Sequence, residues 1–101
     1  MSDNNPLRSK DVEEFLNNNS DWRFEEDRLK AEFTLADFDK AMLVVEKVAA
    51  AARVMDHHPL WTNVYNKLSF SLCTHSAGDK VTKLDLQLAE EISRIVLENC
   101  T

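Results

Sequence analysis

Asp56-His57-His58-Pro59-Leu60-Trp61 places two adjacent imidazoles behind an acid and ahead of a proline. The only other histidine in the chain is His75. Imidazole is the side chain whose ordinary pKa lies nearest neutrality, so it can give or take a proton at working pH. Converging on one pocket, one imidazole could protonate a leaving hydroxyl while another group removes a proton. Each such positioned step contributes roughly 10²–10⁴-fold in rate. Asp56 and Asp85 are candidate partners, since a carboxylate beside an imidazole stabilises its charged form and fixes its tautomer. A second reading stands beside this one. Adjacent residues of an extended chain point opposite ways, so His57 and His58 need not share a site. Asp85 falls three residues after Thr82, where it equally completes a helix cap.

Other chemistries find less support. Three histidines without i, i+4 helical spacing give no zinc motif, and no metal is expected. Cys73 has no adjacent base, which argues against a nucleophile. No glycine-rich phosphate loop or nucleophile elbow occurs. Trp61 and Tyr65 are ordinary packing residues, although Trp61 could wall a flat heterocycle.

The histidines must be positioned by a small framework. A chain of 101 residues is expected to form one domain over 1–101, with a loose polar tail at 1–6. Its formal net charge of −6, with basic residues scattered among acids, argues against direct nucleic-acid binding. No apolar run is long enough to span a bilayer, and the polar N-terminus is not a signal peptide. Two cysteines make no disulfide framework, which predicts a reducing, cytoplasmic setting.

Ser9 is the expected cap of a helix through Asn18, with Val12, Phe15 and Leu16 on one face. Trp22 and Phe24, then Leu29, Ala31, Phe33 and Leu35, alternate with polar residues and predict a hairpin. Thr34 with Asp37 reads as a variant capping box, and Phe33 with Phe38 as its staple. Phe38, Ala41, Met42, Val45, Val48, Ala49, Ala52 and Met55 follow a helical stripe that must stop near Asp56, because Pro59 keeps His58 out of helical geometry. Residues 64–75 predict one long strand, with Leu68, Phe70, Leu72 and Thr74 on one face and Tyr65, Lys67, Ser69, Ser71, Cys73 and His75 on the other, and a short strand before it near 62–64. After a turn at Ser76–Lys80, Thr82 opens a last helix with Asp85 at capping-box spacing and a Val81/Leu86 staple. The order helix-strand-strand-helix-strand-strand-helix predicts an α+β domain: a four-stranded antiparallel sheet with helices on one face.

Asp56-His57-His58-Pro59-x-Trp61-x-Asn63-Val64-Tyr65-Asn66-Lys67, then Thr74-His75, then Thr82-x-x-Asp85, closely resembles the pterin-4a-carbinolamine dehydratases. Trp22 and the Phe33 to Phe38 segment match as well, and the resemblance covers roughly residues 20–97. It implies the same α+β fold. It also implies dehydration of 4a-hydroxytetrahydropterin to quinonoid dihydropterin, in recycling of tetrahydrobiopterin. The pterin is the substrate and no cofactor is implied. On this resemblance His57, His58, His75 and Asp85 are the catalytic set. His57 and His75 protonate the departing hydroxyl, while His58 holds the pterin. Asp56, Pro59, Trp61, Thr74, Ser76 and Ala77 join the histidines in lining the ring. A homodimer or homotetramer is also implied. The alternative function is a non-catalytic interaction module, either a dimerisation cofactor of a homeodomain transcription factor, with a nuclear role, or an assembly chaperone. Two departures bear on the site: Arg53 stands where many members carry an acid, and the loop from His75 to Asp85 is one residue longer than in animal members.

Overall fold

A computed structural model describes residues 5–100, so the first four residues of the expected loose tail lie outside the described part. The elements are α1 (Ser9–Asn18), β1 (Arg23–Glu25), β2 (Arg28–Thr34), α2 (Phe38–Met55), β3 (Leu60–Val64), β4 (Lys67–Leu72), a 3₁₀ turn (His75–Ala77) and α3 (Lys83–Glu98). The strands form one antiparallel sheet in the order β1-β2-β4-β3. This is the expected α+β architecture.

The period of two in β2 and β4 places Leu29 opposite Leu72, Ala31 opposite Phe70 and Phe33 opposite Leu68. These residues share one face of the sheet. Against it pack Ala41, Val44, Val48 and Ala52 of α2 and Leu88, Ala89, Ile92 and Ile95 of α3. Small residues on α2 allow the helix to sit close to the sheet. Each fully buried leucine or isoleucine in this core contributes about 1.5–3 kcal/mol. Helix α1 adds Val12 and Phe15, and Trp22 beyond it donates its indole N–H to Ser93 of α3 at 2.8 Å.

Five local expectations are corrected. The cap of α1 is Arg8, in extended backbone and without a side-chain hydrogen bond, and Ser9 is already helical. The cap of α2 is Asp37, whose carboxylate accepts the Lys40 N–H at 2.8 Å. Thr34 is unavailable because it pairs with Lys67 in the sheet. The proposed staple fails with it: Phe33 packs edge-on between Trp22 and Phe70, and Phe38 stays half-exposed. The single strand over 64–75 is a hairpin instead. Tyr65 takes a left-handed conformation (φ 54°), the chain reverses over Tyr65-Asn66, and β4 begins at Lys67. The Asn63 side chain ties this turn by donating to the carbonyls of Tyr65 and Lys67. Finally, β4 ends at Leu72, so His75 stands on the 3₁₀ turn rather than on a strand.

Candidate active site

Helix α2 brings in the first two histidines. Its apolar stripe runs to Met55, and Asp56 then takes a left-handed conformation (φ 52°, ψ 43°). Asp56 N–H donates to Arg53 O at 3.2 Å and His57 N–H to Ala52 O at 3.0 Å. These are the two bonds of a Schellman ending, with Asp56 at the position usually held by glycine. The reversal turns the His57 side chain back into the protein, where it is buried. His58, the next residue, faces out and is exposed.

Strand β4 brings in the third. Thr74 continues the inward face of β4 and is buried. It forms an isolated bridge with Lys80, its N–H donating to Lys80 O at 2.8 Å. The bridge pinches off a five-residue loop over 75–79. Gly78 (φ 77°) and Asp79 (φ 62°) close this loop in left-handed geometry, which a glycine adopts without penalty. His75 is fully exposed on it, and its Nδ1 lies 2.9 Å from Asp79 Oδ1.

Helix α3 supplies the floor. Thr82 caps it, accepting the Leu84 N–H at 3.2 Å, while its own N–H donates to Asp85 Oδ2 at 2.8 Å. This is the capping box expected from the spacing. Asp85 does more than cap. Its Oδ1 lies 2.6 Å from His57 Nε2, and its Oδ2 also accepts the Thr74 hydroxyl at 2.8 Å. Asp85 is completely buried. A carboxylate in the first turn also suits the positive end of the helix dipole.

Together these three chain ends enclose a cleft of about 580 Å³. Asp56, His57, His58, Thr74, His75 and Ser76 all line it, so the three histidines meet around one space. Met55, Cys73 and Leu84 complete the lining and are not among the site residues expected from sequence. Cys73 and Leu84 each neighbour a residue that was: Thr74 and Asp85. Burial holds the Cys73 thiol above its ordinary pKa, with Asp79 and Asp85 adding to the effect and Arg28 opposing it. Three expected lining residues lie elsewhere. Pro59 and Ala77 are outside the lining, and Trp61 stands opposite Phe70 in the sheet with its ring edge-on to that phenylalanine. Asp85 lies beneath the lining and meets it through His57 and Thr74.

The arrangement suits proton transfer to a small flat molecule. One imidazole is held rigidly and backed by a carboxylate, and two exposed ones flank it. Among the described residues, no group of three or more His, Cys, Asp or Glu side chains is arranged to hold a metal ion. No helix among them is long and apolar enough to cross a membrane.

Residues 5–95 match the family model for pterin 4 alpha carbinolamine dehydratase. A protein of Opitutus terrae, provisionally assigned as a pterin-4-alpha-carbinolamine dehydratase, is 35% identical over 89 residues, covering 88% of this chain and 92% of its own. One from Synechococcus sp. with the same provisional assignment is 42% identical over 74 residues, 73% of this chain and 78% of its own. The crystal structure of a transcriptional coactivator/pterin dehydratase from Brucella melitensis superposes with a TM-score of 0.86 at 31% identity, covering 90% of this chain and 98% of that one. With the family model spanning nearly the whole domain, and relatives above 30% identity matched over most of their length, this chain belongs to the pterin-4a-carbinolamine dehydratase family of hydro-lyases.

Proposed function

We propose that the cleft removes water from a 4a-hydroxytetrahydropterin and releases the quinonoid dihydropterin. The observation that carries this reading is the meeting of His57, His58 and His75, from two separate segments, around one cleft large enough for a bicyclic ring. A charged imidazole gives its proton to the 4a-hydroxyl as the C4a–O bond breaks. The adjacent ring nitrogen supplies the electron pair that expels water, and a ring proton passes to a neutral base. One of His57 and His75 gives the single proton the hydroxyl needs, the other in its neutral form takes the ring proton, and His58 holds the pterin. The backbone of Thr74 to Ser76 borders the ring. No electron changes hands between protein and substrate, so the histidines suffice for the chemistry.

An assay of 4a-hydroxytetrahydropterin dehydration tests this. Wild type should exceed the uncatalysed rate, and His57→Ala and His75→Ala should each fall by about 10²-fold or more. Wild-type turnover no faster than solution would end this reading.

A second copy of the chain is the expected partner. Strand β3 is a sheet edge without a charged residue, and Leu60 and Val64 on it are exposed. Pairing two such edges across a two-fold axis would continue the sheet. Sedimentation should give a dimer or a multiple of one. The Brucella protein is described as a coactivator as well as a dehydratase. A comparable scaffold role here would survive replacement of the histidines, which separates it from catalysis. The two free cysteines suit a reducing cytoplasm for either role.

A further inference from the structure

We propose that Thr74 and Thr82 are positioning residues that fix which nitrogen His57 presents to the cleft. The assignment follows from counting hydrogens. Asp85 Oδ2 receives two donors, the Thr82 N–H and the Thr74 hydroxyl, both at 2.8 Å. The single hydroxyl hydrogen of Thr74 is thereby used. Thr74 and Thr82 hydroxyl oxygens lie 2.7 Å apart, so Thr82 must donate to Thr74. Thr82 in turn accepts the Leu84 N–H. The chain of donors runs one way, from α3 through Thr82 and Thr74 into the carboxylate. Every member is buried or partly buried, where an unmade hydrogen bond costs about 1–3 kcal/mol.

A carboxylate saturated on Oδ2 acts as an acceptor through Oδ1. The atom facing Oδ1 at 2.6 Å, His57 Nε2, must then carry hydrogen. Neutral His57 is the Nε2–H form, with Nδ1 left to exchange protons. Nδ1 has no partner among the described residues, and it is not one of their enclosed, unpartnered polar atoms, of which Ser71 Oγ is the single case. It therefore reaches solvent, and His57 meets solvent at the cleft. Removing the Thr74 hydroxyl leaves Thr82 without an acceptor and frees a lone pair on Oδ2. The carboxylate can then rotate, and its hold on the imidazole loosens.

Ring-nitrogen chemical shifts of isotope-labelled histidine, read by NMR at alkaline pH where imidazole is neutral, test this directly. Wild-type His57 should be the Nε2–H form, and the Nδ1–H form would overturn the proposal even if no variant folds. Folded Thr74→Val should show a mixture of forms and about a tenfold lower kcat with KM nearly unchanged, because misorientation of an acid acts on the chemical step. Thr74→Ser should restore both. A folded Thr74→Val with an unchanged His57 spectrum and unchanged kcat would also overturn it. The kcat arm rests on the dehydratase reading, whereas the spectral arm does not, so an inactive wild type would count against that reading alone.

Discussion

His57 and His75 each face a carboxylate, at 2.6 and 2.9 Å, yet the two pairs live in opposite surroundings. The His57 side chain is 9% exposed and that of Asp85 not at all, whereas His75 is 97% exposed and Asp79 54%. The buried pair meets through Nε2 and is anchored by two helix ends. The exposed pair meets through Nδ1 and sits within one five-residue loop. Like geometry therefore does unlike work. In the interior, three donors engage both oxygens of the carboxylate and orientation is fixed. At the surface, water and salt screen the attraction, and the pair orients the exposed ring only weakly. The site joins one rigid imidazole to one adjustable one, which suits a ligand that must enter, react and leave.

The largest break in this contrast is Asp85→Ala. It removes one half of the capping box of α3 and leaves Thr74, the Thr82 N–H and His57 without their acceptor. Thermal or urea unfolding should show a loss of about 3 kcal/mol, the sum of a weakened capping box and at least one unmade buried bond. Dehydratase turnover should fall by at least about 10²-fold. His75→Ala should lose turnover on a similar scale while leaving stability within about 0.5 kcal/mol, since the side chain packs against nothing. Comparable destabilisation by both replacements would erase the distinction. Asp79→Asn keeps a residue that tolerates left-handed backbone and removes only the charge. Turnover should drop by about threefold at low salt, with the gap closing as salt rises. An equal effect at all salt concentrations would place Asp79 with the rigid pair instead. The smallest expected effect concerns Cys73, in the lining of the cleft. Its raised pKa leaves little thiolate at neutral pH, so iodoacetamide should label it slowly there and faster as the medium becomes alkaline. Peptide mapping would detect rapid neutral labelling, which would contradict that protection.

How much of this was legible depended on whether one segment sufficed. The Thr82/Asp85 box was readable because both residues and the reason for their spacing lie in a single turn. The end of α2 was readable from Pro59, although Asp56 in place of glycine gave no hint of the Schellman geometry. The Tyr65-Asn66 reversal was hidden because tyrosine is a good strand former and no glycine or proline marked the turn. Thr34 looked like a cap because the sheet that occupies it is tertiary. Trp61 followed the histidines so closely that a shared wall was a natural expectation. The pleat decided otherwise, since Trp61 pairs with Phe70 on the core face. That the histidines would meet came from the resemblance rather than from periodicity. The Thr74 link to Asp85 had no local signature, because it joins a strand end to a helix start.

Every residue lining the cleft falls between Met55 and Leu84. The segments that must find each other are thus separated by short stretches of chain, and the entropy of closing a loop grows only with the logarithm of its length. Assembly of this part asks little of α1, and Trp22, which follows that helix, is tethered late in the sequence by its bond to Ser93. Fraying at the amino-terminal end should leave the cleft intact, and an amide-exchange map would then show the part that carries it protected while that end opens.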